Sequence, residues 1–220
     1  MVCLPFNQQR TWISFSSLND LMALLAISKL RHLVPKHTLI NIYRSLVAPY
    51  LSYGLIVWGQ ARKSHLDKLL KLQKRALRFI YFADRNQHAI PLFSDAGILP
   101  LQFSYYEVTA NLMYDIRHRN APRNIWDLFQ DISNIHSYNT RSSTSNNFYT
   151  ESSRLSIQLN SFSRIGTTIW NEMPFTLRNL SKYDFKRKIK SQSTFRYCVF
   201  GRLLSWHTKR HSKGQIFLSF

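Results

Sequence analysis

The stretch from Leu66 to Tyr81, LDKLLKLQKRALRFIY, constrains the architecture of this chain more than any other. At a helical period Leu66, Leu69, Leu70, Gln73, Ala76, Leu77 and Ile80 share one face, the stripe of a helix packed on a core. Lys68, Lys71, Arg75 and Arg78 recur at intervals of three and four on another face, and no carboxylate follows Asp67 to neutralise them. A helix that buries one side and presents an unpaired basic row on the other is suited to lie along a polyanion. Taken alone, such a row is equally the solvated face of an ordinary surface helix.

The rest of the chain favours the sharper reading. Across 220 residues there are 30 Lys and Arg against 11 Asp and Glu, a formal charge of +19. So large an excess opposes compaction by self-repulsion unless a counter-charged partner is usually present. Nucleic acid is the leading partner class, with an anionic membrane surface second. Hydrophobic residues at 45% and aromatics at 14% are ample for a packed core and exclude a disordered basic tail. The length fits one domain, or two small ones sharing a core. Cys3 and Cys198 stand too far apart in sequence for a disulfide framework or a zinc spacing, and fit a reducing compartment.

The start, MVCLPFNQQR, lacks the basic and apolar regions of a signal peptide, so secretion is not expected. The apolar windows Leu21 to Ile27 and Leu46 to Gly59 are too short for a membrane span, which needs about 20 apolar residues. An intracellular site, nuclear or cytoplasmic, is expected.

Helical patterning begins at Leu18 to Leu33, with Asn19 or Asp20 as cap, Leu21, Leu24, Leu25, Ser28 and Val34 as stripe, and Pro35 as terminator. A second helix is expected from Lys36 to Val47, carrying Leu39, Ile40, Tyr43, Leu46 and Val47 inward. PYLSYGLIVWG reads as a buried, turn-rich continuation in which Gly54 and Gly59 allow close backbone approach. After the basic helix, Ile90 to Pro100 reads as a loop, punctuated by Pro91, Gly97 and Pro100. A helix over Leu101 to Arg119 follows, with Phe103, Tyr106, Val108, Ala110, Met113 and Ile116 as core positions and Asp115 paired to Arg119.

Ser133 to Ser163 is dense in Ser, Asn and Thr and reads as an exposed linker with room for one or two short strands. Order returns at Ile165 to Leu180 and continues into a second basic helix, Lys182 to Gln192, with Phe185 and Ile189 inward. Lys186, Arg187 and Lys190 lie on its outer side. The expected architecture is mainly α: an unassigned leader (1–20), a helical bundle (21–132), a polar linker (133–163) and a smaller basic, mostly helical C-terminal segment (164–220).

Catalytic constellations are missing from the sequence. There is no Gly-rich phosphate loop, zinc-spaced Cys pair, H-E-x-x-H helix or nucleophile elbow, and no cofactor or metal is expected. The histidines are scattered, and His207 with His211 lack a third ligand. Phe82-Ala83-Asp84-Arg85 imitates the Phe/Tyr-Ala-Asp-Asp turn of polymerase palms. Its fourth position, however, is a cation that would repel a metal, so Asp84 reads as a helix-terminal residue.

Several strings, in order, resemble the region after the palm in non-LTR (LINE-like) retrotransposon reverse transcriptases of the jockey and CR1 type. They are Ile42-Tyr43-Arg44-Ser45-Leu46-Val47-Ala48-Pro49-Tyr50-Leu51-Ser52-Tyr53-Gly54, Val57-Trp58-Gly59 and Leu72-Gln73-Lys74-Arg75-Ala76-Leu77-Arg78-Phe79-Ile80. Tyr138-Asn139-Thr140-Arg141-Ser142, Gly166-Thr167-Thr168-Ile169-Trp170-Asn171-Glu172-Met173-Pro174 and the Phe185-Lys186 helix follow, and the order holds over residues 25 to 192.

The resemblance implies a helical thumb that cradles a template–primer duplex in an RNA-directed DNA polymerase. In it Lys71, Lys74, Arg75 and Arg78 would hold the nucleic-acid backbone, while Tyr50, Tyr53 and Trp58 would be core or hinge aromatics, with stacking on a base the minor alternative. The full candidate set is Lys68, Lys71, Lys74, Arg75, Arg78, Lys186, Arg187 and Lys190, with no catalytic residue. Palm and fingers would precede residue 20, so the chain is expected to be a truncated or mis-started copy that binds RNA, an RNA–DNA hybrid or a DNA duplex without polymerising. A fuller element product could supply the palm. A free-standing helical nucleic-acid-binding protein fits the charge equally well. A peripheral membrane protein fits less well, because the apolar face of residues 66 to 80 continues into a core.

Overall fold

The computed structural model describes residues 22–135 and 146–200. The leader, the Asn19 or Asp20 cap, Leu21, the Tyr138 to Ser142 string and residues 201–220 lie outside the described residues. The described chain is mainly α, as expected, with a short 3-10 turn at Ile132–Asn134. Within the Ser/Asn-rich stretch Phe148 is buried and forms an antiparallel bridge with Asp131; no strand occurs among the described residues.

Helix α1 covers residues 22–30 and buries Ala23, Leu24 and Ile27. Leu25, expected on the buried stripe, is exposed, because the true stripe runs one position earlier. Pro35 does not end α1. Backbone bonds from Leu33 and Val34 to the Leu30 carbonyl close it first, and Pro35 caps the start of α2 (Lys36–Leu46). There Leu39 and Tyr43 are buried as expected, whereas Leu46 faces solvent.

The PYLSYGLIVWG segment folds as two short helices, α3 (Ala48–Ser52) and α4 (Leu55–Trp58), hinged at Gly54 with φ 62°. Trp58 is fully buried and donates its indole N–H to the Tyr53 carbonyl at 2.7 Å. Tyr50 and Tyr53, expected as core or hinge aromatics, are exposed and so are not core residues; Tyr53 ends α3 beside the Gly54 hinge. Gly59 has an ordinary φ; its role is space, since a Cβ there would sit 2.3 Å from the Tyr105 ring.

The basic helix is α5 (Lys63–Tyr81), with Leu69, Gln73, Ala76, Leu77 and Ile80 buried. It closes through Phe82 at φ 51°, with the Ala83 N–H on the Arg78 carbonyl, a left-handed stop without glycine. Asp84 lies beyond the helix end and is exposed.

The expected loop at Ile90 to Pro100 is largely a helix, α6 (Ile90–Ala96), which buries Leu92, Phe93 and Ala96. Pro91 sits in its first turn, where the missing N–H costs nothing. Gly97 ends it at φ 60°, and the Arg44 guanidinium donates to the Ala96 carbonyl at 3.1 Å.

Helix α7 (Leu101–Arg117) is the axis of the fold. Leu101, Phe103 and Tyr105 join one core, formed with α1 to α6; Ala110, Met113, Tyr114 and Ile116 join a second. Tyr105, Thr109 and Tyr114 are buried although not anticipated, and Tyr106 and Val108 are only half-buried. Its first N–H is taken by Gln73, whose side-chain oxygen accepts from Leu101 N at 3.1 Å while its amide donates to the Leu99 carbonyl at 3.1 Å. The Asp115 carboxylate pairs not with Arg119 but with Lys182, at 2.8 Å; Arg119 lies over the Trp126 ring.

After the short α8 (Arg123–Trp126) comes α9 (Ser156–Leu159), which packs on α10 (Phe162–Asn171); the second core is completed by Phe129, Phe148 and residues of α10, α11 (Phe175–Arg178) and α12 (Lys182–Phe200). Asn171 clamps the Phe148 backbone, accepting from its N–H at 3.0 Å and donating to its carbonyl at 2.8 Å. Arg178 is buried beside the Trp170 ring and donates to the carbonyls of Met173 and Asn171 and to the Asn147 side chain. Burial and the neighbouring Arg117 charge both lower its pKa.

Two stability tests follow from this packing. Gly59→Ala forces the Tyr105 ring and the Leu55 carbonyl apart and should lower the urea midpoint; an unchanged midpoint would mean the contact is slack. Arg178→Lys keeps the charge but cannot reproduce the planar fork, and should cost about 1–3 kcal/mol for each buried acceptor left unmet.

Candidate nucleic-acid interface

The core stripe of α5 fixes which way its cations point. Because Leu69, Gln73, Ala76, Leu77 and Ile80 are inward, the positions about half a turn away face solvent. Lys68, Lys71 and Arg75 are exposed there, Lys74 is half-buried on the flank, and none of the four forms an ion pair with a described residue. Asp67 is the helix's single acid.

Arg78 behaves differently from its neighbours. Its Nε and Nη2 donate to the Gln87 carbonyl at 3.2 and 2.9 Å, tying the loop after α5 back onto the helix. It serves the fold first, and its backbone-bonded guanidinium is less available to a ligand than Lys68, Lys71 or Arg75.

The second set sits on α12, where Phe185 and Ile189 are fully buried and Lys186, Arg187 and Lys190 exposed. Arg187 is partly committed, 3.4 Å from Asp184. Lys190 lies near Glu107 of α7 and attracts its carboxylate. Helices α5 and α12 both pack against α6 and α7, so the same pair of helices supports both basic surfaces.

Among the described residues, no three His, Cys, Asp or Glu side chains gather as a metal would require. No helix there is long and apolar enough to cross a membrane. A cleft of about 370 Å³ opens between α4, α5, α7 and the start of α10, lined by Lys63, Leu66, Tyr105 and Arg164 among others. Burial raises the Tyr105 pKa to about 12, so the phenol stays neutral at any physiological pH.

A group that the sequence did not bring together lies at the end of α5. Arg31, from the turn after α1, stacks 5.2 Å from the Phe82 ring and 6.0 Å from Phe79, and Arg75 covers Phe79 at 5.4 Å. Lys36 stands 3.6 Å over Tyr81. Only contact between α1, α2 and α5 assembles it, and no periodicity within one segment signals it.

Comparison with known proteins adds one finding. A stretch of 41 residues, 19% of the chain, is 56% identical to the RNA-directed DNA polymerase from mobile element jockey of Drosophila melanogaster. The chain is related to a retrotransposon polymerase over that stretch. It covers 4% of the fly protein's length, so that enzyme's activity does not transfer with it. No family model and no solved structure matches. The likeness supports an origin related to non-LTR retrotransposon reverse transcriptases.

The Lys190 environment yields a pH test. Burial pushes the Glu107 carboxyl above the usual carboxylate range, with Lys190 opposing in part. The folded chain therefore holds that proton more tightly than the unfolded chain, and loses stability as pH rises through this range. Glu107→Gln should raise the melting temperature at neutral pH, the advantage fading as pH falls toward the ordinary value of about 4.3. A constant difference across that range would remove the carboxylate as its cause.

Proposed function

We propose that this chain is a thumb-like, post-palm part of a non-LTR retrotransposon RNA-directed DNA polymerase. In this role it grips the sugar–phosphate backbone of a template–primer duplex, or of element RNA. The observation that carries the proposal is the row Lys68, Lys71 and Arg75, exposed opposite a fully buried stripe and without ion pairs among the described residues. Lysines on a rigid helix neutralise phosphates without reading bases, which suits an enzyme that must slide along any sequence. Lys186 and Lys190 of α12 extend the contact, while Lys74 and Arg78 flank it. Phosphoryl transfer, with its paired carboxylates and metal ions, is assigned to a palm with fingers, carried by a fuller product of the same element.

Affinity for a duplex should fall linearly on a log–log salt plot, with a slope of about −0.9 per phosphate neutralised. Changing Lys68, Lys71 and Arg75 together to Ala should weaken binding equally for unrelated sequences and reduce the slope by about 1 per residue. Fluorescence anisotropy across a salt series reads both. Unchanged affinity and slope in the triple variant would move the contact off α5.

A further inference from the structure

The cluster at the C-terminal end of α5 differs in kind from the row that precedes it. Lys68 and Lys71 are point charges on a smooth helix face. Phe82 is an aromatic ring outside the core, 55% exposed, so that more than half of its surface gains nothing by burial. It also occupies φ 51°, a conformation that glycine adopts freely and a bulky residue does not. A helix stop chosen for stability alone would carry glycine, as α6 does at Gly97.

The surroundings match the ring to an anion with a flat face. Arg31 stacks on it at 5.2 Å and His32 meets it edge-on at 5.3 Å, the Arg31 Nε donating to the His32 ring nitrogen at 2.9 Å. Lys36 and Arg75 flank the neighbouring rings of Tyr81 and Phe79. None of Arg31, Lys36 and Arg75 is ion-paired among the described residues; Asp84, two positions past Phe82, is exposed and is not in an ion pair with any of them.

We infer that this cluster is a stacking platform for unpaired bases of single-stranded nucleic acid, adjoining the duplex surface of α5 and resting on the reading of that helix as a nucleic-acid contact. In a duplex the base faces are covered by their neighbours and an exposed ring has nothing to stack on. A single strand offers both a free π-face to Phe82 and phosphates to Arg31, Lys36 and Arg75. Base–aromatic stacking is indifferent to sequence, as the lysine row is, so the two surfaces together suit a duplex that continues into a single strand.

The test uses the full 220-residue chain and two probes, an oligothymidylate of about 16 nucleotides and a blunt duplex of equal length. Phe82→Gly removes the ring at a position whose backbone suits glycine, and Phe82→Leu keeps apolar bulk without a π-face. Phe82→Tyr keeps the π-face. The first two should weaken oligothymidylate binding about tenfold or more, leaving duplex affinity and its salt slope unchanged, and the third should retain wild-type affinity. Oligothymidylate binding untouched by Gly and Leu, or duplex binding lost in parallel, would overturn the platform while leaving the α5 reading intact. A wild-type chain that binds neither probe would overturn both.

Discussion

The burial of α7 is the constraint on which the remaining structure depends. Its N-terminal half belongs to the core built from α1 to α6 and its C-terminal half to the core built from α10 to α12. A helix buried along its whole length cannot show a clean amphipathic stripe, and α7 does not: Tyr105, Thr109 and Tyr114 are inward as well as Phe103, Ala110 and Met113. Specific hydrogen bonds tie both halves to the neighbouring segments. Gln73 bonds Leu101 N and the Leu99 carbonyl at one end; Tyr114 donates to the Leu180 carbonyl at 2.6 Å near the other. The bond to Leu101 N is buried and is the costliest of these to break.

That arrangement explains how a chain of such charge stays folded. Several arginines are committed to the scaffold: Arg44 to the end of α6, Arg78 to Gln87, Arg117 to Asp131 and the Phe148 ring, and Arg178 to the turn after α10. The planar guanidinium suits fixed carbonyls and ring faces. Lys68, Lys71 and Lys186 keep their ammonium groups toward solvent, where hydration offsets their repulsion. The strings that carry the family resemblance belong mostly to the scaffold: Tyr43, Trp58, Gly59, Gln73, Leu77, Trp170 and Asn171 are core residues or backbone clamps. Such a resemblance speaks for a shared fold more directly than for shared chemistry.

Several errors of the sequence reading have a common origin in position. Pro91 and Pro35 are breakers inside a helix and good first residues of one, and only the neighbouring packing of Leu92 and Phe93 says which applies. Leu25 and Leu46 are apolar yet exposed, since a stripe's phase is set by the neighbour it meets. Nothing local in the sequence marks Arg178 for burial. Asp115 had a fitting helical partner in Arg119, but Lys182, distant in sequence, is the one it meets.

The sequence by itself determined the helices whose apolar period is strong, α2 and α5, and with α5 the outward direction of Lys68, Lys71 and Arg75; in α12 the pair Phe185 and Ile189 marked the inner face and left Lys186, Arg187 and Lys190 outside. That follows because the 3.6-residue repeat sets both faces of a helix at once. Tertiary structure alone decided which basic residues are drawn into other contacts: Arg78 onto the Gln87 carbonyl, Arg187 toward Asp184 and Lys190 toward Glu107. It also decided that Arg31, Lys36, Phe79 and Phe82 share one surface. The reason is physical: hydrogen bonds, ion pairs and ring stacking act over a few ångströms between residues far apart in the chain, and only the packing of one helix on another brings them within reach.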